Sequence, residues 1–387
     1  MQMAALLISL TTLLGAGAWP VAVQRDSREP VRVVVFKAGD HGYNTFRIPA
    51  VIATPKGDLL AFAEARRHAA ADAGDIDLVA RRSRDGGRTW SALQLIGDDG
   101  ADTFGNPCVV VDRDTATIWL FVIRTAGSDK EQAILDGRSR SLPRPWVLSS
   151  TDDGHTWSSP VDVSASLKRT DWTWYSLGPG IGIQTRDGRL VIPGNHALAG
   201  TGVHRSHLVF STDHGRTWQL GASAVDGTNE SQVVELSDGR LLHNMRNHPA
   251  RPAGNYRAVA TSTDGGRTIS AVTFDRTLVE PPAQASLLSI EGARKGTRWV
   301  VFANPASTRR ERMTVRLSKD EGVSWATSRV MDEGPSAYSS LVEMGADLGL
   351  LYERGAKTAY EEIVFTRFTR DWLQSGGPPP AGSRDIP

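Results

Sequence analysis

The sequence has one cysteine, almost no net charge and no cluster of cysteines and histidines. A single cysteine, Cys108, excludes an intramolecular disulfide, so the domain must be stabilised by its own core. A net charge of +1 in 387 residues disfavours nucleic acid as a partner, because proteins that bind it present strongly basic surfaces. The nine histidines are scattered, without zinc-ligand spacing. We therefore expect no metal, no cofactor and no nucleic acid partner.

The two ends of the chain differ in composition from its middle. Residues 4–14 are apolar and lead into Ala16-Gly17-Ala18, which is typical of a signal peptide over residues 1–18, with an end as late as about residue 24. An uncleaved anchor is the alternative, although this apolar run is shorter than the roughly 20 residues that a spanning helix needs. Residues 374–387, rich in Pro and Gly, predict a disordered tail. We expect a secreted, extracellular monomer without membrane attachment once the signal is removed.

A short pattern, Ser-x-Asp-x-Gly-x-Thr-Trp, recurs along the chain with small changes. Asp and Gly at its centre favour a tight turn, because Gly takes a positive φ and Asp accepts hydrogen bonds from nearby backbone N–H groups. Runs rich in Val, Ile, Leu and Thr flank each copy, so the local prediction is strand, turn, strand. The five copies, called Asp boxes below, begin at Ser83, Ser150, Ser211, Ser262 and Ser318.

The spacing of these boxes predicts the fold. Their starts lie 67, 61, 51 and 56 residues apart, and a fixed period of this size indicates an array of one repeated unit. At about 59 residues per unit, the strand-rich stretch from Val31 to Trp372 holds six units of about four strands. The prediction is a single all-β domain over residues 30–373, a six-bladed β-propeller with four antiparallel strands per blade. A Greek-key sandwich would explain the short strands but not the period.

A second motif, Phe46-Arg47-Ile48-Pro49, precedes the first box. An arginine here is either part of a surface ion pair or an anion-binding group that faces a cleft. Together with the Asp boxes, the motif resembles the sialidases (neuraminidases), exo-acting glycosidases that remove terminal sialic acid. The resemblance covers nearly all of the chain outside the signal and the tail.

The resemblance implies a site for the carboxylate of sialic acid. Planar, permanently charged guanidinium groups can hold a carboxylate through paired hydrogen bonds, which Lys cannot do. The matching positions are Arg47, Arg246 and Arg310, although Arg309 and Arg312 are close enough for the last assignment to shift. Glu353 matches the family acid that orients the first arginine.

The resemblance also implies a tyrosine nucleophile, Tyr338, in place of the usual carboxylate. A carboxylate nucleophile would be repelled by the carboxylate that the substrate carries next to its reacting carbon, whereas a neutral phenol would not. Because a phenol is a poor nucleophile at neutral pH, it needs a base, and Glu230 matches that position. Glu235 is the nearby alternative, but it lies in a strand that leads into an Asp-Gly turn.

The remaining expected site residues surround this pair. Asp72, 25 residues after Arg47, matches the acid/base on a loop over the site. Asp75 is either structural or a sugar contact, and Arg66 is expected to line the pocket. The segment from residue 171 to 180 suggests an aromatic loop at the mouth, although core packing explains its tryptophans equally well; its members are Trp172, Trp174 and Tyr175.

The sequence thus predicts a secreted, retaining exo-α-sialidase that hydrolyses terminal sialic acid through a covalent tyrosyl-enzyme intermediate. Its expected substrates are sialylated oligosaccharides, glycoproteins or gangliosides. Two alternatives remain at this stage. A trans-sialidase would use the same residues, and a non-catalytic sialic-acid-binding propeller would keep only the arginines.

Overall fold

The computed structural model describes residues 30–247 and 254–378. The predicted signal peptide and the tail beyond residue 378 lie outside these ranges. Within them the chain is all-β and almost entirely antiparallel, as the sequence predicted. Helices are few and short: a 3₁₀ turn at Asp40–Gly42, α1 (Glu131–Leu135), α2 (Ser164–Leu167) and α3 (Arg370–Gln374). None of the helices described is long and apolar enough to cross a bilayer.

The strands follow one another in short antiparallel meanders. The first half of the chain contains β1 (Val31–Lys37), β2 (Thr45–Ala53), β3 (Leu59–Arg66), β4 (Ile76–Ser83), β5 (Gln94–Gly97), β6 (Thr103–Asp112), β7 (Thr117–Thr125), β8 (Arg144–Ser150), β9 (Val161–Asp162), β10 (Trp172–Leu177), β11 (Gly180–Ile181), β12 (Ile183–Gln184) and β13 (Leu190–Leu198). The second half contains β14 (His204–Ser211), β15 (Gln219–Ser223), β16 (Thr228–Glu235), β17 (Leu241–Asn247), β18 (Tyr256–Ser262), β19 (Thr273–Val279), β20 (Ser286–Glu291), β21 (Arg298–Pro305), β22 (Glu311–Ser318), β23 (Thr327–Met344), β24 (Asp347–Arg354) and β25 (Glu362–Thr369).

Pairing within the meanders is between neighbours in sequence, except that β10 pairs with β13 past the two short strands β11 and β12. The orders are β2-β3-β4-β5, β6-β7-β8-β9, β10-β13-β14-β15 and β16-β17-β18-β19. The long strand β23 serves two meanders: its first part follows β20-β21-β22, and its second part leads into β24-β25. The N-terminal strand β1 then pairs with β25, from Val31 opposite Arg367 to Lys37 opposite Glu362. The first strand therefore completes the last meander and joins the two ends of the domain.

The Asp boxes form the turns that the sequence predicted. In the first box the Ser83 hydroxyl accepts the N–H of Gly87 at 2.8 Å, where φ is 86°. One oxygen of Asp85 accepts the N–H of Thr89 at 2.9 Å, and the other accepts its hydroxyl at 2.6 Å. The same serine, aspartate and hydroxyl contacts occur in the other four boxes. These contacts are all local, which is why eight residues suffice to specify them.

The core lies between adjacent meanders, and box tryptophans contribute to it. Trp157 meets Phe62 edge-on at 5.9 Å between ring centroids, and Trp218 meets Phe121 at 4.7 Å. In both pairs the phenylalanine belongs to the preceding meander. Each of these tryptophans therefore packs its own turn against the neighbouring unit, which fixes how the units stack.

Candidate active site

The expected site residues lie at one edge of the meanders, and the boxes lie at the other. In an antiparallel meander, the start of the first strand and the connection between the second and third strands share an edge. Arg47 and Glu230 stand near the starts of β2 and β16, and Asp72 lies between β3 and β4. Each box connects the third strand of its meander to the fourth, so the boxes lie at the opposite edge. The topology therefore brings the site together and separates it from the repeat.

A bulge directs Arg47 into the site. The pairing of β2 with β3 shifts between Arg47 and Ala50, and Ile48 adopts a φ of 58°. This left-handed conformation is costly for a β-branched residue and persists only where its surroundings hold it. Here the N–H of Ile48 donates to Glu353 Oε1 at 2.8 Å. The bulge and this bond together place the Arg47 side chain, 4% exposed, beside Glu353.

Glu353 is fully buried and accepts four hydrogen bonds. Arg47 donates from Nε at 3.1 Å and from Nη2 at 3.3 Å, each to a different carboxylate oxygen. The backbone N–H of Ile48 and that of Tyr338, at 3.0 Å, complete the set. Burial by itself lowers the pKa of Arg47, but Glu353, together with the nearby Tyr338, Asp72 and Tyr360, outweighs it and the pKa lies above its usual range. Glu353 therefore orients Arg47 and also anchors the backbone of Tyr338.

Tyr338 and Glu230 form the central pair. The Tyr338 hydroxyl lies 2.7 and 2.8 Å from the two oxygens of Glu230, to which it donates. Burial, followed by the negative charge of Glu230, raises the pKa of Tyr338 well above its usual value. The resting phenol is therefore neutral, and Glu230 is placed to receive its proton. Arg246 Nη1 donates to Glu230 at 2.6 Å and to the phenol oxygen at 3.3 Å.

Arg310 is the third guanidinium beside this phenol. Its carbon Cζ lies 5.4 Å from the Tyr338 ring centroid, close to the 5.2 Å of Arg47. The two alternatives in sequence are engaged elsewhere: Arg309 pairs with Glu311 and is 79% exposed, and Arg312 pairs with Glu333 at 3.4 Å. The structure thus brings Arg47, Arg246 and Arg310 together around one tyrosine.

Asp72 is held by two arginines at the entrance. Its carboxylate, 78% exposed, lies 2.7 Å from Arg66 Nη1 and 3.1 Å from Arg47 Nη1. Desolvation works to raise the pKa of Asp72, but the charges of Arg66 and Arg47 outweigh it and hold the pKa below its usual range. Arg66 is itself fixed by Glu64, which accepts from Nε at 3.0 Å and from Nη2 at 2.6 Å.

Two expected contacts are placed differently. Tyr175 has no exposed surface, and its hydroxyl lies 3.2 Å from His207 Nε2, so it is a core residue; the expectation of a substrate contact was wrong because its strand turns this ring inward. Trp174, on the other face of the same strand, is partly exposed and donates to Asn195 at 2.8 Å. Asp75 points to Arg67, with its oxygen 3.2 Å from Nε, which favours the structural alternative.

Sequence reasoning missed some neighbours of the site. Glu64 could have been found, because it stands two residues before Arg66 on the same face of β3. Tyr360, whose hydroxyl accepts from Arg310 at 2.6 Å, gave no signal beyond its position in a loop. Glu131, on α1, lies 3.5 Å from His204 Nε2, and this contact lowers the pKa of Glu131. The charge of Arg246 lowers this pKa further.

One group in the described part of the chain has metal-ligand spacing: Asp112, Asp114 and His214. This group lies at the edge of the meanders that carries the boxes, since His214 is part of the third box. The amide of Gln184 already donates to both carboxylates, at 2.9 Å in each case, and His214 Nδ1 lies 2.9 Å from Asp112. These contacts make the group a bridge between neighbouring units.

The chain is similar to known proteins over most of its length. Residues 57–352 match the family described as BNR repeat-like domain. The chain is 36% identical over 352 residues to a sialidase of Micromonospora viridifaciens and 33% identical over 371 residues to an exo-alpha-sialidase of Aspergillus fumigatus. Each alignment covers 87% of this chain, but 53% of the first relative and 86% of the second. The chain thus spans about half the length of the Micromonospora protein. Among solved structures it is similar to a Hadza microbial sialidase, with a TM-score of 0.79 and 32% identity, covering 87% of this chain and 68% of the other.

Proposed function

The chain belongs to the sialidase family, and on that premise we propose that it is a retaining exo-α-sialidase that hydrolyses terminal sialic acid from glycoconjugates. The observation that carries the proposal is the Tyr338–Glu230 pair, 2.7 Å apart, with three guanidinium groups around it. The acidic substrate would be a sialylated oligosaccharide, glycoprotein or ganglioside. This arrangement suits a substrate that brings its own carboxylate to the reacting carbon.

The first half-reaction follows from the contacts. The three arginines bind the substrate carboxylate, which places the anomeric carbon over the Tyr338 oxygen. As that oxygen attacks, its proton passes to Glu230, and the nearby Arg246 stabilises the charge that develops on the phenol. The bond from the anomeric carbon to the leaving oxygen breaks, and Asp72 protonates that oxygen.

In the second half-reaction Asp72, now a carboxylate, takes a proton from water, which attacks the anomeric carbon. The bond to Tyr338 breaks, and the phenol recovers its proton from Glu230. Because each half-reaction inverts the carbon, the configuration is retained overall.

Asp72 must be protonated before it can act as the acid. In the free protein it lies on Arg47 and Arg66, which favour its ionised form. A bound substrate carboxylate would take the place of Asp72 on Arg47 and add a negative charge beside it. Both effects raise the pKa of Asp72, since an opposite charge is removed and a like charge is added. Substrate binding would therefore prepare the acid for its role.

The fold is a β-propeller, and we propose that its blade count is six. The support is the strand pairing: four meanders of consecutive strands, a fifth that ends in the first part of β23, and a sixth that β1 completes. Closure by the first strand would tie the ends of the ring together and protect the last sheet edge. Secretion as a mature protein stays part of the proposal.

The test is release of a fluorogenic phenol from its α-sialoside. We expect wild-type protein and the control Tyr352→Phe to release it, and Tyr338→Phe to lose nearly all activity. Wild-type protein without activity would refute the enzyme, and a fully active Tyr338→Phe would refute the nucleophile. Mass spectrometry after incubation with 2,3-difluorosialic acid should find the added sugar on Tyr338. Adding lactose and measuring sialyllactose separates transfer from hydrolysis.

A further inference from the structure

The three site arginines differ in how their charge is balanced. Arg47 faces Glu353, and Arg246 faces Glu230, each through hydrogen bonds to a carboxylate. Arg310 has no carboxylate within ion-pair distance in the ranges 30–247 and 254–378. Its partners there are neutral oxygens: Nη2 donates to the carbonyl of Pro282 at 2.9 Å, and Nη1 donates to the hydroxyl of Tyr360 at 2.6 Å.

Tyr360 touches two of these arginines at once. Its hydroxyl holds Arg310, while its ring lies 4.3 Å from the guanidinium carbon of Arg47, within the range of a cation–π contact. The ring also packs against the small cluster that contains Tyr338 and Ile48. One side chain therefore sets the positions of two guanidinium groups relative to each other and to the phenol.

The loop that carries Tyr360 is built to hold it still. The carboxylate of Glu361 accepts three successive backbone N–H groups, those of Ala356 at 3.0 Å, Lys357 at 2.8 Å and Thr358 at 2.9 Å. These bonds lower the pKa of Glu361, so its carboxylate stays ionised at neutral pH. A loop closed in this way gives the tyrosine a defined place between β24 and β25.

We propose that Tyr360 is a positioning residue for recognition of the substrate carboxylate: its hydroxyl orients Arg310, and its ring supports Arg47. The inference rests on the proposed function for the identity of that carboxylate. Because the partners of Arg310 are neutral, its charge is the least compensated of the three. A guanidinium without a carboxylate partner contributes the most binding free energy when an anion binds, provided that its N–H groups already point at the anion.

The first test is the steady-state kinetics of Tyr360→Phe, which removes the hydroxyl but keeps the ring under Arg47. We expect KM for the fluorogenic sialoside to rise about tenfold, as for loss of a hydrogen bond to a charged group. The value of kcat should change much less, because the carboxylate is held in the ground state and in the transition state alike. Tyr360→Leu, which also removes the ring, should raise KM further. An unchanged KM in Tyr360→Phe overturns the proposal.

The second test isolates the carboxylate. Calorimetry compares the affinity for sialic acid with that for its methyl ester, in wild-type protein and in Tyr360→Phe. We expect the preference for the acid to fall about tenfold in the variant. A purely structural defect would weaken both ligands equally and leave the ratio unchanged, which would overturn the proposal. The matched control is Tyr352→Phe, which loses a similar bond, to Arg32 Nε at 2.9 Å, outside the site.

The outcomes separate this inference from the proposed function. Wild-type protein could prefer sialic acid to its methyl ester, lose that preference in Tyr360→Phe, and yet release no fluorophore. That result would refute the enzyme and keep the inference. Active wild-type protein with the same KM and the same ratio in Tyr360→Phe would refute the inference and keep the enzyme. Wild-type protein that binds no sialic acid would refute both.

Discussion

Glu353→Gln should destabilise the protein strongly, and the reason lies in the four hydrogen bonds that Glu353 accepts. One carboxylate oxygen receives Arg47 Nε and the N–H of Ile48, and the other receives Arg47 Nη2 and the N–H of Tyr338. An amide has only one acceptor oxygen. Whichever way it is turned, its NH₂ group faces two donors, one from a charged guanidinium and one from the backbone.

The magnitude follows from these losses. A lost hydrogen bond to a charged group is worth about 1.5–3 kcal/mol, and a neutral one about 1 kcal/mol. Removal of one partner from a buried ion pair costs about 3–5 kcal/mol. We therefore expect the free energy of unfolding to fall by about 3–5 kcal/mol. Activity should fall as well, because Arg47 and the backbone of Tyr338 lose the same anchor.

The assay is denaturant unfolding followed by tryptophan fluorescence, to which the 11 tryptophans contribute. The matched control is Glu362→Gln, where the carboxylate faces Arg354 at 3.2 Å and both side chains are partly exposed. Such a pair is worth about 0–1 kcal/mol. If Glu353→Gln and Glu362→Gln lower the free energy of unfolding equally, the reasoning from the four-bond carboxylate is wrong.

Three further predictions concern pH and the boxes. If substrate displaces Asp72 from Arg47, the alkaline limb of kcat should lie at higher pH than that of kcat/KM, which reports the free enzyme; coincident limbs would contradict the displacement. Burial lowers the pKa of His243 to about 3, so this side chain stays neutral in the folded protein while it becomes protonated in the unfolded chain below about pH 6.5. Its contribution to the free energy of unfolding is therefore complete above about pH 6.5 and declines by about 1.4 kcal/mol per pH unit as pH falls toward 3. Because burial also lowers the pKa of His196 and of His207, the test is the difference between two proteins: as pH falls from 7 to 5, the free energy of unfolding should decline less steeply in His243→Gln than in wild type. Equal slopes would contradict the prediction. Hydrogen bonds from Thr89 chiefly lower the pKa of Asp85 to about 2. Asp85→Ala should thus lower the unfolding midpoint without changing KM, and a raised KM would show that the box affects the site.

Most of the expected site residues lie together in the structure, but the sequence did not reveal the direction in which every side chain points. Arg47, Arg246, Tyr338 and Glu230 lie together, each at a strand end or bulge that the motif context marked. Tyr175 does not join them, because alternation along its strand turns it inward while Trp174 faces outward. A run of aromatic residues could not say which of the two faces would be exposed.

What the sequence determined by itself is the repeat. Each box is held by bonds between residues two to four positions apart, so eight residues specify their own turn wherever they occur. The tertiary structure decided the site. Arg47 meets Glu353 across 306 positions, and Arg310 meets Tyr360 across 50. Contacts of that kind depend on how the meanders are arranged around one another, so local pattern cannot predict them. The resemblance to a known family led us to expect the first contact, and nothing in the sequence indicated the second.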